Sequence, residues 1–149
     1  MNEVTSNLAG RWKRLGGALI EGVIYMVIMV PIMLATGIFQ KAFSGERMTI
    51  GQQTAVFVVG QVVFLALNGY LLFNRGQTIG KVAVKTKIVD LSGNIPNFGK
   101  LLVLRYLILG LVAQIPIISG LVLVDVLFIF GKERRCLHDY IAGTRVVEA

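Results

Sequence analysis

The chain has 149 residues, of which 55% are hydrophobic and only 15% charged, with a formal net charge of +7. A water-soluble domain carries about 25% charged residues to keep its surface wetted, so this composition argues against a soluble enzyme and for lipid as the solvent of one domain spanning 1–149. The basic residues flank the apolar runs instead of forming one patch, which argues against a nucleic-acid partner, and the single cysteine, Cys136, excludes an intrachain disulfide.

The chain opens with Arg11, Lys13 and Arg14 and continues into an apolar run over 15–39 that contains Pro31 and Gly37. The run is as long as a full membrane span and has no small-residue cleavage site, so it reads as a retained first helix. A second span covers 54–73, with Gln61 and Asn68 inside it. The third apolar stretch, 101–130, would measure about 45 Å as one helix, against a hydrocarbon core of about 30 Å. Pro116 and Gly120 lie near its middle, leaving either one long tilted span or a tight hairpin of two short helices. Charge favours the hairpin. With the N-terminus inside, four helices put twelve lysines and arginines on the cytoplasmic side and two, Lys41 and Arg47, outside, whereas three helices would send the basic tail outside. The expected architecture is all-α: a four-helix transmembrane bundle in the inner membrane, its last two helices a short hairpin, with both termini cytoplasmic.

The cytoplasmic parts carry a weaker pattern. Residues 81–90 alternate, with Val82, Val84, Thr86 and Ile88 on one side and Lys85 and Lys87 on the other, which predicts a strand. Leu91 to Asn94 reads as a turn. Thr144 to Val147 is a second β-prone segment, and because an isolated strand is unstable the two are expected to pair into a small ribbon. Residues 133–142 read as a short interfacial helix with Leu137 and Ile141 on its apolar side. Gly76-Gln77-Thr78-Ile79-Gly80-Lys81 resembles a phosphate loop but is one residue short between the glycines, and no Ser or Thr follows the lysine. It reads as a membrane-surface turn into the strand.

No nucleophile motif surrounds His138-Asp139, and one histidine with one cysteine does not make a zinc site, so no enzyme, metal or cofactor is expected. The informative residues lie within the spans. Ionisable groups there are costly and face a bundle interior or a wet cavity. On the four-helix topology Glu21, Asn68, Arg105 and Asp125 all fall about 6–9 Å below the cytoplasmic ends of their helices, and Arg14 lies two turns from Glu21 on one helix face. Such a layer is either a self-neutralised network that fixes helix packing or a site for a cation or proton. As an ion site, Glu21 and Asp125 would be the carriers and Asn68 an auxiliary oxygen ligand. Arg14 and Arg105 would hold the carboxylates ionised. Asp139, with His138, would anchor the tail to a cytoplasmic arginine.

Three segments resemble the RDD family of small bacterial membrane proteins: Arg11 to Glu21; Gly76 to Lys81 with Lys87-Ile88-Val89-Asp90 and Leu104-Arg105; and Leu137-His138-Asp139-Tyr140-Ile141-Ala142-Gly143-Thr144-Arg145-Val146-Val147. The family is named for one arginine and two aspartates. Arg14 matches the arginine and Asp139 the second aspartate, while Glu21 stands where the first aspartate is expected. The resemblance implies an inner-membrane protein, and some members are associated with Na⁺/H⁺ antiport. The expected function is therefore cation or proton transport, with Na⁺ or H⁺ and lipid as partners. A chain this small would transport as a homo-oligomer. The alternative is a non-transporting scaffold that binds a partner protein or lipid.

Overall fold

A computed structural model describes residues 7–113, 124–125, 127–131 and 135–149. Helix α1 spans Arg11–Ala35 and helix α3 spans Ile50–Arg75, separated by the short helix α2, Ile38–Ser44. Both long helices exceed the length needed to cross a bilayer core, and their most apolar windows have mean hydropathies of 2.3 and 2.1. Each starts and stops for a local reason. Helix α1 contains Pro31 and ends before Gly37, whose φ of 71° suits a residue without a side chain. Thr49 and Gln52 form a reciprocal cap at the start of α3, and Gly76 closes it in the left-handed region, donating its N–H to Leu72 at 3.2 Å. Leu19, Val23, Val27, Val62, Tyr70 and Phe73 point outward from these helices, an apolar surface that water would not tolerate over such an area and lipid does.

The segment after α3 departs from the alternation seen in the sequence. Residues Ile79–Ala83 form a short helix, α4, and the strand β1 begins only at Thr86 and runs to Asp90. Two contacts override the β pattern of Val82 and Val84. The Asn68 carboxamide oxygen accepts the Ile79 N–H at 2.9 Å, satisfying a first-turn donor that a helix cannot satisfy itself. Gly80 packs directly on Gly17 of α1, so closely that a Cβ on Gly80 would lie 2.2 Å from the Gly17 carbonyl oxygen. Lys85, at φ 55°, then turns the chain into β1.

Strand β1 pairs antiparallel with β2, Thr144–Glu148, with Thr86 opposite Glu148 and Asp90 opposite Thr144. The expected ribbon is therefore present, and it is wider than two strands' worth of bonding. The Ala9 N–H donates to Val146 at 3.1 Å and the Glu148 N–H to Asn7 at 3.0 Å, so the N-terminal segment lies along the other edge of β2. Asp90 closes the predicted turn by accepting the N–H groups of Ser92 and Asn94 at 2.8 and 2.9 Å. Ile88 and Val146 from the ribbon meet Ala9, Leu72 and Leu101 in one buried cluster, against which Phe64, Phe98 and Tyr106 pack.

The third apolar stretch begins as helix α5, Phe98–Leu101, capped by Asn97. It widens into a π-helical segment, Leu102–Leu107, and returns to α geometry in α6, Ile108–Ala113. Inserted π turns are rare and frequent at functional sites, and this one carries Arg105, which is only 3% exposed. The expected reversal near Pro116 and Gly120 lies outside the described residues. Phe128–Phe130 form a 3₁₀ turn, and the tail helix α7, Leu137–Ala142, ends at left-handed Gly143 directly before β2.

The glycine contact gives a paired test. Gly80→Ala should lower stability by about 1–3 kcal/mol, since neither backbone can withdraw freely, whereas Gly22→Ala, which meets nothing within 4 Å, should be neutral or slightly stabilising. Thermal unfolding of the two variants in detergent distinguishes them, and equal melting temperatures would contradict the packing described.

Candidate functional site

Asp139 occupies the third position of α7, and its side chain is fully buried. Its placement follows from a local cap. The Cys136 N–H donates to one carboxylate oxygen at 3.1 Å, while the Cys136 thiol caps the Asp139 end of the same turn. Two guanidinium groups then converge on the carboxylate from elements far apart in sequence: Arg14 from α1 bonds one oxygen and Arg105 from the π segment bonds the other. Arg105 also donates to the Thr144 hydroxyl at 2.9 Å. Thr144 lies 3.4 Å from the carboxylate, and the backbone of the same turn is held by Arg135, which bonds the Asp139 and Thr144 carbonyls at 3.2 and 3.1 Å. Burial alone would raise the Asp139 pKa, but Arg105, His138 and Arg14 outweigh it and hold the carboxyl well below the usual carboxylate range. The charged form is the favoured one.

This arrangement corrects one part of the sequence reading. The sequence pairs Arg14 and Arg105 with the Glu21 and Asp125 carboxylates, and the structure gives both arginines to Asp139. The reason is reach. Arg14 lies in the first turn of α1, where the tail helix docks against it, whereas Glu21 is two turns further along and finds other partners.

Those partners are Lys81, whose ammonium is 3.1 Å from the Glu21 carboxylate, and the Thr78 hydroxyl, which donates to the same oxygen. Lys81 is also 3.2 Å from Thr78, so the three groups form a closed triangle between α1 and the start of α4. Asn68 stands next to them but spends its amide oxygen on Ile79 and its amide nitrogen on Phe64, at 3.3 Å. It positions α4 beneath Glu21. Asp125 sits elsewhere, accepting the His138 backbone N–H at 2.8 Å and facing the ring Nδ1 at 2.6 Å. Burial and the nearby Arg105 lower the His138 pKa despite the two aspartates beside it, and burial pushes the Cys136 thiol up to about 11.

Two cavities meet at Glu21. One, of about 220 Å³, runs toward the tail between Arg14, Lys81, Tyr106, Cys136 and His138. The other, of about 240 Å³, lies between α1 and α3 and is lined by Ile24, Tyr25, Phe64 and Leu67. Glu21 is in both walls. Among the described residues the hydroxyls of Thr86 and Tyr106 are buried without a protein partner, and both residues line the first cavity. Sequence reasoning missed Lys81, Thr78 and Thr144 as members of these clusters. Each looks like an ordinary surface turn or strand residue until the chain is folded.

The arrangement can therefore do two chemically distinct things. Asp139 with its arginines fastens α1, the π segment, α7 and β2 to one point. Glu21 is an acid held by one amine and one hydroxyl and reachable through two cavities.

Among known proteins, the family model described as "RDD family" matches residues 8–143. The uncharacterized protein YckC of Bacillus subtilis (strain 168) is similar, at 32% identity over 141 residues, which cover 95% of this chain and 85% of that protein. No solved structure matches the chain.

Removing one partner of a buried ion pair strands the other charge, at a cost of about 3–5 kcal/mol. Asp139→Asn should lose that much stability, and Arg105→Met a comparable amount. The double variant should lose clearly less than the two together, because the partners share one interaction. Additive losses in a double-mutant cycle of unfolding in detergent would rule out the shared carboxylate.

Proposed function

The chain belongs to the RDD family of small membrane proteins, and within that family we propose that it exchanges a monovalent cation for protons at the Glu21 carboxylate. The observation that carries this reading is the place of Glu21 in the walls of both cavities. A carboxylate that lines two cavities can take up an ion from one and release it into the other.

Lys81 supplies the competition that exchange requires. Its ammonium neutralises Glu21 in the resting arrangement, so a proton or Na⁺ must displace it to bind. Na⁺ prefers hard oxygen ligands, as other hard cations do; the Glu21 carboxylate and the Thr78 hydroxyl are the two at hand, already in contact. A proton takes the same carboxylate without any other ligand. The two loads exclude one another because each needs the same oxygen atoms. Asn68 acts as a positioning residue through Ile79, and Asp125, engaged by His138, belongs to the tail anchor. In this reading the chain crosses the inner membrane four times with both termini cytoplasmic, supported by the distribution of lysines and arginines along the sequence. It works as a homo-oligomer, because one copy offers little material to seal a pathway.

The second reading, a scaffold that binds a partner protein or lipid, draws on the saturated pairing of Asp139, whose charges fix packing and carry nothing. The two readings separate in proteoliposomes containing the purified protein under an imposed Na⁺ or pH gradient. Exchange predicts coupled Na⁺ and H⁺ movement that Glu21→Gln abolishes, and tighter apparent Na⁺ binding in Lys81→Gln, where the competing amine is gone. No movement of either ion by the wild-type protein under any gradient would leave the scaffold reading in possession.

A further inference from the structure

The chain holds a single cysteine and a single histidine, two residues apart at the start of α7. Cys136 is the cap residue and His138 lies in the first turn, an arrangement that brings the two side chains to the same end of the helix. Asp125 is brought against them by its hydrogen bonds to the His138 backbone and ring. A ring nitrogen of His138, Sγ of Cys136 and a carboxylate oxygen of Asp125 all lie within 4.8 Å of one another. We propose that Asp125, Cys136 and His138 form a binding site for a thiolate-seeking divalent cation of the Zn²⁺ class.

The donor set selects the metal. One sulfur, one imidazole nitrogen and one carboxylate oxygen suit Zn²⁺ or Co²⁺ and not Ca²⁺ or Mg²⁺, which take oxygen ligands. Tetrahedral bonds of about 2.0–2.3 Å require ligand atoms about 3.3–3.8 Å apart, so a separation at the 4.8 Å limit closes by about 1 Å while the 2.6 Å contact between His138 Nδ1 and Asp125 opens to admit the metal, both within the reach of side-chain rotation. Three protein ligands leave a fourth position open, and Cys136 and His138 both face the cavity of about 220 Å³, which offers that position to water or a small ligand.

Burial keeps the metal-free Cys136 thiol protonated, and the neighbouring groups supply what a metal-bound thiolate needs. Arg14 Nη2 is 3.6 Å from Cys136 Sγ and, once the metal binds, becomes a charge-assisted N–H donor to the coordinated sulfur. Asp139 holds the Cys136 backbone N–H at 3.1 Å. Outer contacts of this kind fix the orientation of ligands and raise affinity. As the sulfur–metal bond forms, the S–H bond breaks and its proton leaves to bulk water. No electron is transferred, and the dication with one thiolate and one carboxylate sums to zero charge. The site does not use Glu21 and stands whether or not the protein moves ions. Its consequence is mechanical: the metal would clamp the tail helix to the segment that carries Asp125.

Cobalt reports on the site directly. The full-length protein, purified in detergent without a histidine tag and titrated with Co²⁺, should develop a thiolate-to-cobalt charge-transfer band that saturates at one equivalent and is erased by Zn²⁺. With only one cysteine in the chain, Cys136→Ser should remove that band, and because serine keeps a capping oxygen the variant should still fold. His138→Gln and Asp125→Asn should each bind at least about tenfold more weakly. In the wild-type protein alone, Zn²⁺ should shield Cys136 from alkylation. The proposal is overturned if the wild type gives no band, if the band survives in Cys136→Ser, if affinity is unchanged in both ligand variants, or if Zn²⁺ leaves alkylation unaffected.

Discussion

A carboxylate with no exposure to solvent cannot exist as an anion beside a membrane unless something neutralises it, and the Asp139 carboxylate is neutralised twice. Arg14 and Arg105 come from helices far apart in sequence, and each would be as costly as Asp139 if left alone. The three groups are therefore mutually obligatory. Their meeting sets the position of α1 against the π segment and draws α7 beneath both. It also delivers Thr144 to Arg105, which places the first residue of β2 and through it the register of the ribbon. Much of the architecture outside the long helices follows from this one junction.

The junction also divides the acids of the chain by role. Asp139 is saturated by two guanidinium groups, a backbone N–H and a hydroxyl. Glu21 is held by one amine and one hydroxyl and opens onto two cavities. An acid fixed by full pairing can organise a structure but cannot change its load. An acid with one competitor can. Asp125 falls between them, paired with a histidine whose own protonation burial and Arg105 discourage.

The long helices were legible because length and hydropathy report directly on burial in lipid, and the ends of α1 and α3 lie within about four residues of the spans read from the sequence. The ribbon was half legible. Thr144 to Val147 and the turn after Asp90 carried their own chemistry, but the alternation of Val82 and Val84 imitated a strand where a helix forms. What decided that segment was the fit of Gly80 against Gly17 and the bond from Asn68 to Ile79, contacts that no local periodicity records. The charged layer was legible in composition and not in pairing. Arg14 and Glu21 share a helix face, which suggested a pair, yet the partner of Arg14 arrives from the opposite end of the chain. Likewise, one cysteine and one histidine carry no metal signature by spacing, because the third donor, Asp125, reaches them only through the fold.

The division between a locked and an exchangeable acid is open to direct observation by infrared difference spectroscopy of the protein in lipid, recorded as Na⁺ replaces H⁺. The account predicts a carboxyl band that converts from protonated to ionised on Na⁺ addition and vanishes in Glu21→Gln, with no contribution from Asp139. An ion-induced band that persists in Glu21→Gln, or the absence of any carboxyl change in the wild type, would contradict it.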